Sequence, residues 1–326
     1  VHHHGILPVV AFAIGWLIAE GSSDKQIQDG ILALAAGFGT YATLNMLVNI
    51  GNNRYRLIDF WTDTYRAATG SGALNTLPIS VAPYAVKFEK RLLVKIMFLA
   101  LLFATIQYMF MLGTRTQFAI LLLIAILAAL QFAYSEQGIS GVLKCVGIMA
   151  VISLIAFLLY HFNVLSIRDY ILSTNLAARY ERRASLENSD SFRFQSFWIG
   201  LRELIQYPMG GRASQIYRHN MWLDVGRVSG IIPFCLLLVY SIKNFANVTA
   251  IWKNTKILLS LRYLFLFLYI GAYVNCFVEP IWEGALNFFL ALCVVDGMVS
   301  AMMRRLENDP IPEESVPDTS NLHTDL

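Results

Sequence analysis

Charge is what this sequence has little of. Asp, Glu, Lys and Arg make up 14% of its 326 residues, against about 25% in a soluble globular protein. Together with a hydrophobic fraction of 56%, that excludes the soluble-enzyme, nucleic-acid-binding and disordered-scaffold classes. Cysteine is scarce as well. Cys145, Cys235, Cys276 and Cys293 lie far apart in apolar stretches, without CxxC or Cys/His spacing, so no zinc site or disulfide framework is indicated. They read as small buried hydrophobes. No signal-peptide or lipid-anchor pattern is visible. The net charge of +3 looks dull until its placement is read.

Long apolar runs are what the chain has in abundance. A transmembrane helix needs about 20 largely apolar residues. Ile31 to Ile50, Leu92 to Leu112, Phe118 to Tyr134, Gly141 to Val164, Val228 to Phe245, Ile257 to Val278 and Ile281 to Met303 meet that template. Gly5 to Ala19 is shorter and Leu74 to Phe88 is interrupted by Pro78 and Pro83; counting both gives nine expected spans in an all-α polytopic membrane protein. The chain divides accordingly into an N-terminal bundle (1–164), a long polar loop (165–227), C-terminal spans (228–303) and an acidic, proline-bearing tail (304–326) that reads as disordered. The start at Val1 reads as a truncation that has removed leading spans, and His2, His3 and His4 as tag residue or chance.

Positive residues stay on the cytoplasmic side of short loops. One set of loops holds Lys25, Lys87, Lys90, Arg91, Lys95, Lys144, Lys243, Lys253, Lys256, Arg262, Arg304 and Arg305; the other holds Arg54, Arg56, Arg66 and Arg115. The first set is therefore expected inside and the long loop outside. Sorted this way, all eight lysines fall inside, whereas thirteen of seventeen arginines fall outside, nine of them in the long loop: Arg168, Arg179, Arg182, Arg183, Arg193, Arg202, Arg212, Arg218 and Arg227. Arginine presents a planar fork that matches phosphate oxygens and stays charged when partly desolvated. An arginine-rich outer surface beside a membrane suggests a phosphorylated anionic ligand. The alternative is pairing with the loop's own acids, Asp169, Glu181, Glu187, Asp190, Glu203 and Asp224, or with lipid headgroups; six acids cannot neutralise nine arginines.

Within the loop, Phe194, Phe197, Trp198, Leu201, Leu204 and Ile205 have the spacing of an amphipathic helix over 193–205. Pro208 ends it, and Gly210-Gly211 turns the chain toward His219-Asn220. A short helix lying on the membrane could hold a histidine beside the headgroup layer. A lone loop histidine is otherwise structural or incidental, and His161, beside Tyr160 at a span end, reads as interfacial.

The order Arg193, a Trp198-bearing helix, Pro-x-Gly-Gly, His219-Asn-x-x-Leu and Gly-x-x-x-Gly entering a span resembles the signature loop of the bacterial O-antigen ligase and O-antigen polymerase superfamily. Gly113-Thr114-Arg115-Thr116 is similar to the family's Gly-Ser/Thr-Arg-Thr element, and the stretch from Arg54 to Gly70, with Arg56, Asp59 and Trp61, resembles an earlier outer loop of some members. The likeness touches most of the chain from about Ile31 to Val299. It implies a helical fold of the GT-C kind and an inner-membrane glycosyltransferase. The donor would be an undecaprenyl-diphosphate-linked oligosaccharide, the acceptor a glycan or lipid A-core hydroxyl on the outer face, and other polysaccharide-assembly membrane proteins would be partners. By that resemblance His219 is the base or orienting group. The chain has no Asp-x-Asp pair to hold a metal, so no cofactor is expected, and Arg115 and Arg193 are the candidates for stabilising charge on the departing diphosphate. Arg54, Arg56, Arg202, Arg212, Asn220, Trp198 and Glu279 are expected to bind substrate, with Asp224 as an orienter of His219. Glu283 and Trp222 are further candidates; the competing readings are solvated acids and interfacial tryptophan anchors.

Ligase and polymerase share donor and loop and differ in acceptor; the divergence of the motifs from the more uniform ligase pattern leans toward polymerase. The rival from another class is a lipid-linked sugar flippase, which would carry ionisable residues and broken helices at the bilayer midplane. Asp296, placed by the expected span near its inner end, is the main residue of that kind.

Overall fold

A computed structural model describes residues 2–50, 56–185 and 189–308. In chain order the helices are α1 (His2–Glu20), α2 (Asp24–Val48), α3 (Ala68–Ala73), α4 (Thr76–Lys87), α5 (Leu92–Leu112), α6 (Arg115–His161), α7 (Ile167–Leu172), α8 (Asn175–Ser185), α9 (Ser189–Gln206), α10 (Met221–Ser229), α11 (Ile231–Lys253), α12 (Leu259–Val278), α13 (Ile281–Gly284) and α14 (Leu286–Asn308). A short antiparallel ribbon, β1 (Arg56–Ile58) with β2 (Tyr65–Ala67), pairs Leu57 with Arg66. The all-α expectation holds.

Among the described residues six helices, α2, α5, α6, α11, α12 and α14, are long and apolar enough to cross a membrane. Their outer faces carry bare aliphatic and aromatic side chains such as Leu93, Phe103, Leu143, Ile152, Phe157 and Val239, a surface that suits lipid and not water. This is the build of a multi-pass membrane protein.

The nine expected spans map onto these elements unevenly. Two fall on α6, whose 47 residues would run about 70 Å if straight. Gly138, at φ 60° and ψ −145°, interrupts it and brings Gly141 against the Ala133 carbonyl eight residues back, an approach that a straight helix forbids. The proline-bearing segment is a helix of only 12 residues, α4, about 18 Å long. It is buried almost throughout and sits in the bundle core against α12, α5 and α6.

Lipid tails are as apolar as leucine, so helix association inside a bilayer rests on close packing and interhelical hydrogen bonds. Both are present. Gly15 and Gly297 let α1 and α14 touch backbone to backbone: a Cβ on Gly15 would strike the Val294 carbonyl, and one on Gly297 the Phe12 carbonyl. That contact holds α1 against α14 along its length. Polar ties run between helices: Gln28 Nε2 to Ser260 Oγ at 2.6 Å, Asn275 Nδ2 to Thr76 Oγ1 at 2.9 Å and Thr105 Oγ1 to Asn75 Oδ1 at 3.2 Å. Asp296 is a tie of the same kind. It lies near the middle of α14 and not at an inner end, because the helix begins only at Leu286 and continues to Asn308. The side chain is fully buried and accepts from Tyr240 at 2.7 Å and from Tyr269.

The charged loops sort into two ends. At one, Lys25 meets Asp29 (3.2 Å), Arg91 meets Asp29 and Glu89 (2.6 and 2.8 Å), Lys87 meets Glu136, Arg304 meets Glu20 (3.4 Å) and Arg305 meets Asp24 (3.8 Å). Hydrogen bonds from Arg91 hold the Glu89 carboxyl down at about 2. At the other, α8, α10 and α13 gather over the ends of α5, α6 and α12. The two groups of loops separated by lysine and arginine content thus lie at opposite ends of one bundle.

Replacing Gly297 by leucine should cost about 1–3 kcal/mol through overpacking and lower the melting temperature in detergent by several degrees. Gly37→Leu, where a Cβ meets open space, should leave it within error. Equal melts for the two variants would refute the role given to the α1/α14 contact.

Candidate functional site at the arginine-bearing end

The α9–loop–α10 unit is locked before it does anything else. Gly210 and Gly211 adopt φ of 74° and 77°, the left-handed region that favours glycine. Their turn is bolted to the entrance of α11: Gly211 N–H donates to the Val228 carbonyl (3.0 Å), Arg212 N–H to the Arg227 carbonyl (3.1 Å) and Ile231 N–H to the Pro208 carbonyl (2.8 Å). A Cβ on Gly210 would meet the Gly230 amide. These glycines of the expected motif therefore hold backbone to backbone.

The expected helix over 193–205 is present as α9, with Gln195, Arg202 and Gln206 exposed and its apolar residues divided between two sides. Ser196, Glu203 and Leu204 are buried, whereas Phe194, Trp198 and Ile205 are exposed at 65%, 55% and 79%. A helix whose apolar side looks away from the protein needs another apolar phase, and the membrane surface supplies one. Trp198 is accordingly part of an outward apolar face.

Two of the nine arginines of the long loop, Arg218 and Arg227, are engaged within the protein. Arg218 forms a two-pronged pair with Glu203, Nε to Oε2 at 3.1 Å and Nη2 to Oε1 at 2.7 Å, both partners largely buried. Breaking such a pair from one side costs about 3–5 kcal/mol. Arg227 is buried, donates to the Arg212 and Gln215 carbonyls at 2.6 and 2.9 Å, and is paired with Glu283 and, at 3.6 Å, with Asp224. Glu283 is therefore an ion-pair partner and not a solvated acid. Arg202 and Arg212 have no acid partner among the described residues; Arg202 is exposed, and Arg212 lies over the Tyr207 ring at 4.1 Å.

Asn220 caps α10, accepting from Leu223 N–H at 3.1 Å, and its Nδ2 donates to the Phe277 carbonyl at 3.2 Å. Its amide is thus used to seat α10 on the end of α12. His219 immediately precedes this cap, half-buried, edge-on to Tyr217 at 4.9 Å and held at φ 55°. A non-glycine residue in that region costs energy and is frequent at functional sites. Asp224 does not act as its orienter by any of its hydrogen bonds among the described residues: Oδ1 accepts from the Arg218 amide at 2.6 Å, and the buried Oδ2 has no hydrogen-bond partner among them. Burial pushes its carboxyl up to about 6, against the pull of the Arg218 amide and Arg227.

The second expected element meets the same place from the other side. Thr116, at the start of α6, donates to Glu279, the residue that caps α12. Glu279 is buried, which excludes the solvated-acid reading. Arg115 lies 6.0 Å from the Tyr180 ring of α8, and Arg179 donates to the Gly113 carbonyl at 2.8 Å. Beneath them Gln117 reaches Asn275 at 3.4 Å. Two segments a hundred residues apart therefore converge on the last turn of α12, Phe277 to Glu279. Trp222 is an anchor, its Nε1 on Ser241 at 3.0 Å and its ring stacked on Tyr273.

Asp59 of the earlier outer loop is buried and accepts from Tyr41 and from the Trp61 and Thr62 amides, a turn-forming role. Arg54 lies outside the described residues, as do the side chains of Arg56 and Arg193. Arg218 with Glu203 and Arg227 with Asp224 realise the pairing with the loop's own acids set out above. The Thr116–Glu279 bond, Arg179 beside Gly113 and the Arg227–Glu283 pair were not legible from spacing, because tertiary contact alone brings them together.

No protein-family model matches this chain, and no curated protein matches it.

The raised Asp224 carboxyl carries a pH signature. Between its ordinary 3.8 and about 6 the folded state keeps a proton that the unfolded chain releases, so stability falls as pH rises through that window. In Asp224→Asn this contribution disappears. The variant's melting temperature minus that of the parent should become more positive from pH 4 to 6 and level off above; a pH-independent difference would show that the carboxyl is not perturbed.

Proposed function

We propose that this chain is a membrane glycosyltransferase. In this reading it moves a saccharide from a lipid-linked diphosphate, undecaprenyl diphosphate by family resemblance, to an acceptor hydroxyl at the arginine-bearing end. That end faces outward from the bacterial inner membrane. The observation that carries the proposal is the convergence of Arg115, Thr116 and Glu279 with the His219-Asn220 turn on the end of α12.

The chemistry follows from the side chains. His219 takes the proton from the acceptor hydroxyl as its oxygen attacks the anomeric carbon. The bond from that carbon to the diphosphate breaks, and the leaving group departs with the electron pair. Histidine suits this task because its ordinary pKa, about 6.5, is near working pH. Arg115 and Arg193 stabilise the charge on the diphosphate. Arg54, Arg56, Arg202 and Arg212 attract the lipid-linked anion, a task consistent with the unpaired state of the last two among the described residues. Polymerase is the preferred form, with ligase as the alternative acceptor choice.

The flippase reading would rest on Asp296. Its oxygens are occupied by tyrosines from α11 and α12, which suits a helix tie better than a carrier site.

His219→Ala should lower saccharide transfer in membrane vesicles by about 10²–10⁴-fold, the usual worth of a positioned acid or base, at unchanged protein level. Near-parental product would remove the base assignment. Arg115→Lys keeps the charge and loses the fork; forfeiting one charge-assisted hydrogen bond, about 1.5–3 kcal/mol, should cost about ten- to a hundredfold, and full activity would exclude Arg115 as a diphosphate clamp. Deleting the gene separates the readings: single repeat units still attached mark a polymerase, absent attachment a ligase, and intact attachment with lipid-linked units retained inside a flippase.

A further inference from the structure

The opposite, lysine-bearing end holds a cavity of about 610 Å³ between the α11–α12 loop, the start of α2 and the last turns of α14. That size lies within the range of small-molecule sites, about 300–1,000 Å³. Lys253, Lys256 and Arg305 line it against a single carboxylate, Asp24. Arg305 is partly answered, at 3.8 Å from Asp24 and donating to the Ser22 carbonyl at 2.5 Å. Lys253 and Lys256 are exposed and have no ion-pair partner among the described residues. At the same end Lys25, Lys87, Arg91 and Arg304 are each set against a carboxylate, and Lys90, Lys95 and Lys243 are not among the described residues; Lys253 and Lys256 differ from these last three in facing one recess together with Arg305. The floor is apolar, formed in part by buried Ile257 and Met302.

A recess with excess positive charge at its rim and apolar side chains below suits an anion attached to an apolar body. We propose that this cavity binds a phosphate group, with Lys253 and Lys256 as its principal partners and Arg305 held ready by Asp24. The phosphate can belong to a phospholipid headgroup, whose glycerol and upper acyl carbons would cover Ile257 and Met302, or to a free phosphate ion. The site is at the far end of the bundle from the candidate transferase site and does not rest on that assignment.

The test uses the full chain purified in a neutral detergent. One arm adds phosphatidylglycerol, with phosphatidylcholine as the uncharged comparison; the other adds inorganic phosphate. Bound species are read by native mass spectrometry and their affinity by titration at moderate salt. A lysine near an anionic headgroup contributes roughly a fivefold factor, so Lys253→Gln with Lys256→Gln should weaken phosphatidylglycerol binding about thirtyfold. Lys243→Gln, outside the cavity, should leave it unchanged. Both cavity lysines are exposed, so the double variant is expected to keep the parental melting temperature. Lipid binding lost in the double variant identifies the headgroup as the source. Phosphate binding to the parent chain that is lost in the same variant identifies the free ion. Equal binding by parent and double variant, or binding by neither, overturns the proposal.

Discussion

The arginine-bearing end depends on how one buried helix stops. α12 runs through the middle of the bundle, and its last turn must leave the apolar phase with its carbonyls answered. Asn220 answers the Phe277 carbonyl, and Glu279, which follows the helix, takes the Thr116 hydroxyl. Through these two hydrogen bonds the start of α6 and the start of α10 are placed on the same terminus. Moving either element would expose a polar group at a depth where replacement partners are few. The proximity of the Arg115 and His219 segments is thus a by-product of closing α12.

The motif residues divide by task. Gly210, Gly230 and Asn220 serve the backbone: they allow the turn after α9 to seat on α11 and α10 to seat on α12. Arg218 and Arg227, which look alike in the sequence to any ligand-binding arginine, spend their charge on Glu203, Glu283 and Asp224. What this framework leaves presented is His219 in a left-handed backbone position, with Arg202 and Arg212 as cations without an acid partner among the described residues. A rigid scaffold that holds a few side chains in place is the arrangement that positioned chemistry requires.

Charge at the two ends follows one rule applied twice. Each end neutralises many of its cations with nearby carboxylates, as Glu89 does for Arg91 and Glu203 for Arg218, and each leaves particular cations open. At one end these surround the apolar face of α9, and at the other they line a recess with an apolar floor. Lysine predominates at one end and arginine at the other.

Composition and hydropathy alone determined the solvent and the class: apolar runs of twenty residues admit little besides membrane helices. The cation bias separated two sets of loops that the bundle does place at opposite ends. The helix ending before Pro208 was legible too, because three-four spacing and a proline stop are local signals. Pairing was not legible. Thr116 with Glu279, Arg227 with Glu283 and Tyr269 with Asp296 join residues far apart in sequence, and no local period records such a contact. How α9 divides its apolar residues between protein and the outer side was not legible for a related reason. Periodicity shows that a helix has an apolar face, but only the neighbours decide whether that face meets protein or lipid. The sequence by itself thus determined which residues carry charge and where the helices run. Tertiary structure decided which charges cancel, because ion pairing falls off over a few ångströms and those distances are set only when the helices pack.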